Sequence, residues 1–113
     1  MAQEGRTCKD IILGMPPRFN AEAAGDWKAV IQFRFSGPKG GDYHVTIGNR
    51  ACSVADGVHP APTATVMASD ETWLGIFDKS VDAMMAFMTG KLQVQGNVGD
   101  VMKMRNPEIF RQG

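Results

Sequence analysis

Two histidines, two cysteines and one tyrosine are all that 113 residues contain of those types, and 12 Lys and Arg meet 12 Asp and Glu for a formal charge of zero. Each scarcity removes a class of function. Cys8 and Cys52 stand far apart without a Cys-x-x-Cys pairing, so the chain does not read as a disulfide scaffold, and reduced thiols in a cytoplasmic setting are expected. Phosphate backbones require a basic face, and the best local cluster, Lys103 with Arg105, is balanced by Asp100 and Glu108. No nucleic-acid partner is expected. No window approaches the roughly 18 apolar residues of a membrane span, "MAQEGRTCKD" has no signal-peptide core, and "RQG" is not a peroxisomal address. The expectation is a soluble, intracellular, cytoplasmic protein of one domain, residues 1–113, burying roughly two thirds of its unfolded surface.

Catalytic and metal chemistry are equally thin. His44 falls on the polar side of a strand and His59 precedes Pro60 in a loop, both positions that read as solvated. No nucleophile-elbow sequence surrounds any serine, and Cys8, Cys52, His44 and His59 lack the paired short spacings of zinc sites. No catalytic residue, metal or cofactor is expected. "GNVGD", 96–100, stands at a helix start where N–H groups could face a head group, but it matches neither GxGxxG nor the Walker pattern, and Asp100 already occupies that helix end.

What is present is patterned apolar sequence. Thr7 is an N-cap for a short helix carrying Ile11, Ile12 and Met15, with a stop near Pro16 and Pro17. From Trp27 the period becomes two: Ala29, Ile31, Phe33 and Phe35 face one way, Lys28, Gln32, Arg34 and Ser36 the other. "GPKGGD" and "GNR" turn the chain into strands around Tyr43, Val45 and Ile47 and around Cys52 and Val54, an antiparallel meander. "DGVHPAP" leads to a fourth strand, "TATVMA". Ser69 then caps a helix with Trp73, Ile76 and Phe77 on one side, and a second helix from Ser80 carries Val81, Met84, Met85 and Met88 to Gly90. "KLQVQG" is a fifth strand, and Asn97 opens a last helix with Val98, Val101 and Met102 before Pro107. The order predicts an α+β domain, a five-stranded, mostly antiparallel sheet covered on one face by helices.

"SVDAMMAFMTGKLQVQG" holds more apolar side chain than one sheet contact needs, and Leu74 and Phe87 widen the arc further. Two readings remain open: helices packing on each other as well as on the sheet, or a lined cavity. Methionine suits the second, because an unbranched thioether re-packs around guests of different shape. About a dozen buried methylenes supply on the order of 10 kcal/mol, against an association cost of about 4–15 kcal/mol. A greasy tail therefore binds without a sharp polar motif.

"GMPPRFNAEAAGDWKAVIQFRFSG", 14–37, and "AFMTGKLQVQGNVGDVMKM", 86–104, resemble the sterol carrier protein type 2 family in its short stand-alone prokaryotic form, and "HPAPTATVMASDETWLGIF", 59–77, matches in type and order. The resemblance covers about residues 11–105. It implies a five-stranded sheet with helices over one face and a hydrophobic tunnel between them for a fatty acid, fatty acyl-CoA, phospholipid or sterol-like lipid, with no catalytic residues. Carried over by position, Trp73, Phe77, Met84, Met85, Met88 and Met102 would wall the tunnel and Ile31, Phe33 and Phe35 would floor it. Gln93 and Asn97 replace a lysine and an aspartate of many relatives, which weakens any charged head-group contact. Lipid binding or transfer is the function so implied, with transient membrane contact, by a monomer or homodimer. An interaction or dimerisation module using the same surface is the alternative, and a small lipid or thioester enzyme using Cys52, His44 or His59 the third.

Overall fold

The computed structural model describes residues 7–104 and 108–110. Arg105, Pro107, the "RQG" ending and most of "MAQEGRTCKD", on which the basic-cluster, helix-stop and targeting readings drew, lie outside these residues. In chain order come α1 (Cys8–Leu13), α2 (Met15–Arg18), α3 (Ala21–Ala24), β1 (Ala29–Ser36), β2 (Gly41–Gly48), β3 (Ala51–Asp56), β4 (Ala64–Ser69), α4 (Asp70–Asp78), α5 (Ala83–Met88), β5 (Leu92–Gly96) and α6 (Val98–Met104). Among the described residues no helix is long and apolar enough to cross a membrane.

The opening segment is three short helices rather than one. Thr7 and Asp10 close a capping box at the start of α1: the Thr7 hydroxyl accepts from the Asp10 N–H and the Asp10 carboxylate from the Thr7 N–H. The break comes at Gly14, before the prolines. Pro16 and Pro17 instead sit in the first turn of α2, where N–H groups have no intrahelical partner and a ring costs little.

The sheet runs β3-β2-β1-β4-β5, with β1 parallel to β4 and every other neighbouring pair antiparallel. The β1–β2–β3 meander is as the turn signals predict. Asn49 and Arg50 close its second hairpin with φ of 51° and 59°, the paired left-handed conformation that matches strand twist. Because β3 and β4 flank opposite sides of the β1–β2 pair, residues 57–63 must cross the sheet. They do so over the face opposite the helices.

That crossover explains why Gln32 is buried rather than wet. Its amide N–H₂ lies 3.0 Å from the Tyr43 carbonyl oxygen, 3.1 Å from that of Gly57 and 3.2 Å from that of Phe33, and its Oε1 accepts from the His59 N–H at 2.7 Å. A polar side chain at an alternate position thus becomes the anchor of a loop, with its hydrogen-bonding capacity satisfied.

On the inner face, Ala29, Ile31, Phe33 and Phe35 of β1 join Val45, Ile47, Ala64 and Val66, covered by Cys8, Ile11 and Ile12 of α1, Leu74 of α4 and Val101 of α6. Leu74, expected as surplus, is the large apolar side chain that α4 buries, beside the buried Asp70 and Gly75, whereas Trp73, Ile76 and Phe77 are only partly covered. The roll of α4 is set at its base, where Ser69 ends β4 and caps the helix in the same step, its hydroxyl accepting from the Thr72 N–H at 3.1 Å. Gly75 faces the returning chain so closely that a Cβ there would meet Val81. The next helix begins three residues later than Ser80 suggests, because Asp82 supplies the cap, accepting from the N–H groups of Met84 and Met85.

Candidate functional site

The period-two pattern places the three β1 residues where the sequence expects them. Ile31 and Phe33 have no exposed surface, and Phe35 is buried beside them. Their surroundings are filled at the sheet centre by Trp73, whose ring lies 5.0 Å from Phe35 in stacked geometry and 5.4 Å from Phe33, tilted. Phe77 follows one turn along α4, with the Arg18 guanidinium 5.4 Å over its ring.

The methionines lie elsewhere. Met84, Met85 and Met88 are 53%, 59% and 74% exposed, and Met102 on α6 is 55% exposed, joined by Phe87 and Val98. Ala86 is the buried residue of α5, pinning that helix to β5 while its neighbours face outward. Between α5 and α6 runs β5, whose inner-face residues Leu92 and Val94 are only partly buried. Phe33, Phe35, Trp73 and Phe77 therefore come together inside, while Met84, Met85, Met88 and Met102 border the edge of the same layer. Leu92 and Val94 were not singled out from sequence, although their alternation within "KLQVQG" carries the signal.

Two indoles differ in their polar ends. The Trp27 N–H donates to the buried Asp100 carboxylate at 2.9 Å. The Trp73 Nε1 is buried and has no hydrogen-bond partner among the described residues.

Both thiols stand above their ordinary range. Burial pushes the Cys8 thiol up to about 12, helped by the nearby Asp70 carboxylate, and burial alone pushes Cys52 up to about 11. The histidines, on a strand face and in a loop as the sequence suggests, are both half-exposed, and they also touch each other. Their rings meet edge to face at 5.1 Å, His44 Nδ1 lies 3.2 Å from the Gly57 carbonyl oxygen, and His59 Nδ1 accepts from the Ala61 N–H at 3.0 Å. The crossover loop that buries Gln32 also brings them together. Among the described residues no cluster of three metal-binding side chains occurs. On the outer sheet face an open groove of about 460 Å³ runs past Arg34, Asp42, Met67, Lys91 and Gln93, where Arg34 and Asp42 pair at 3.4 Å.

Comparison with known proteins agrees with this architecture. The model of the SCP-2 sterol transfer family matches residues 16–107. Hydroxysteroid dehydrogenase-like protein 2 of Rattus norvegicus is 33% identical over 79 residues, 68% of this chain but only 15% of that protein's own length. Among solved structures, a double mutant of the sec-alkyl sulfatase PisA1 superposes with a TM-score of 0.79 at 18% identity, over 88% of this chain and 16% of that one. Sterol Carrier Protein 2 Like 2 from Aedes aegypti superposes at 0.71 with 20% identity, over 85% of this chain and 88% of its own, and a solution structure of the palmitated protein at 0.65, with 21% identity over 87% and 90%.

Proposed function

The chain belongs to the SCP-2 sterol transfer family, and from that membership we propose that it binds a long-chain lipid and passes it on without chemical change. The observation that carries the reading is the apolar rim. Met84, Met85, Met88 and Met102 stand exposed beside the partly covered Leu92 and Val94, and from there the inner layer leads to Phe77 and Trp73. Acyl chain is the occupant that suits this rim. Thioethers adapt to it, and residues 83–99 contain no Asp or Glu and one lysine, so the chain from α5 to the start of α6 is apolar or neutral apart from Lys91 and the Asp82 carboxylate at the α5 cap. The palmitated Aedes aegypti relative supports the same occupant.

A transfer role without catalysis accords with two protonated thiols and with a histidine pair occupied by loop contacts. Two free cysteines favour a reducing compartment, the cytoplasm, and residues 1–113 then act as one lipid-binding domain. Native mass spectrometry of the freshly purified protein tests this directly. A lipid adduct lost on mild activation is the expected spectrum, on a monomer or a homodimer. A ligand-free dimer that masks the methionines would favour an interaction module instead.

A further inference from the structure

Trp73 is the one buried side-chain donor left without a partner among the described residues. Such a group is costly to leave unsatisfied, and in a native fold its partner is to be sought in a bound molecule or water. The second indole shows what the fold does when it means to satisfy an N–H itself: Trp27 has Asp100 at 2.9 Å. Trp73 instead rests on Phe33 and Phe35, apolar rings that carry no oxygen or nitrogen acceptor, one helical turn from the partly covered Phe77.

We propose that the Trp73 N–H is the hydrogen-bond donor to an uncharged oxygen of the bound lipid, a hydroxyl or an ester carbonyl. The inference rests on the lipid-binding reading and specifies the polar contact within it. An uncharged acceptor follows from the setting. A single neutral donor on an apolar floor does not offset the desolvation of a carboxylate or phosphate, whereas it satisfies an alcohol or ester oxygen one for one. The apolar chain then extends toward the methionine rim, and Trp73 fixes the depth at which it sits.

The test uses four probes of equal chain length: dodecane, dodecanol, methyl laurate and laurate, titrated into ¹⁵N-labelled protein. The Trp73 indole proton is expected to move downfield with dodecanol and methyl laurate and to stay near its free position with dodecane, while the Trp27 signal holds still. In Trp73→Phe the ratio of dodecanol to dodecane affinity is expected to fall about tenfold, the scale of one hydrogen bond. Should that variant fold poorly, the wild-type spectra decide alone. An equal shift with all four probes, an affinity ratio untouched by Trp73→Phe, or a Trp73-dependent preference for laurate overturns the proposal while lipid binding stands. No binding of any probe removes both.

Discussion

At the residue scale, polar groups inside this protein are either matched or left open, and the difference is testable. Asp100 and Trp27 form a matched pair between the start of the sheet and α6. Asp100→Ala is expected to strand the Trp27 N–H and lower stability by about 1–3 kcal/mol, read from urea denaturation. Both thiols titrate above their ordinary range, so the unfolded chain ionises first as pH climbs past about 9, and the native state falls behind. Unfolding free energy should therefore decline from about pH 9 toward pH 12. At neutral pH the buried Cys8 should resist a thiol reagent until the protein is denatured, and the half-buried Cys52 should react more slowly than a free thiol; rapid native labelling of Cys52 would revive a reactive-thiol role. The two cysteines could be counted from sequence, but the burial of Cys8 and the partial cover of Cys52 could not. Trp73 could be placed on a covering helix, yet the missing partner of its N–H depends on what surrounds it in three dimensions.

Among the elements, strands carried their own signature. The alternation from Trp27 to Phe35 is local, so the inner face of β1 was legible residue by residue. The crossover was not, because nothing in "DGVHPAP" states which face of the sheet it will cover, and Gln32 reads as exposed until residues 57–63 lie over it. Gln32→Ala should cost about 1–3 kcal/mol and free the crossover, seen as faster hydrogen exchange at the His59 amide. Helix rotation was the other gap. A stripe of Trp73, Ile76 and Phe77 is visible in sequence, but the tight turn from β4 at Ser69 and the contact between Gly75 and Val81 bring Leu74 inward. The turn after β1 has its own constraint: Gly37, at φ 96°, faces the Asp70 carboxylate, which in turn accepts from the Lys39 N–H at 2.9 Å. Gly37→Ala should therefore lower the melting temperature through both backbone strain and displacement of Asp70.

For the whole molecule, the surplus of apolar side chain noted in the sequence resolves into two populations. One is the inner layer around Phe33, Phe35 and the partly covered Trp73; the other is an exposed border of methionines beside β5. If lipid acyl chain occupies that border, Met85→Glu should leave stability within about 0.5 kcal/mol, as for other surface changes, while weakening lipid binding. A large loss of stability with unchanged binding would make Met85 an ordinary structural residue. The most direct measurement of the central claim is displacement of a fluorescent fatty acid from the wild-type protein by unlabelled palmitate. Saturable uptake of the probe and its full release by palmitate are the predicted result; a probe signal that neither saturates nor responds to competitor would contradict lipid binding.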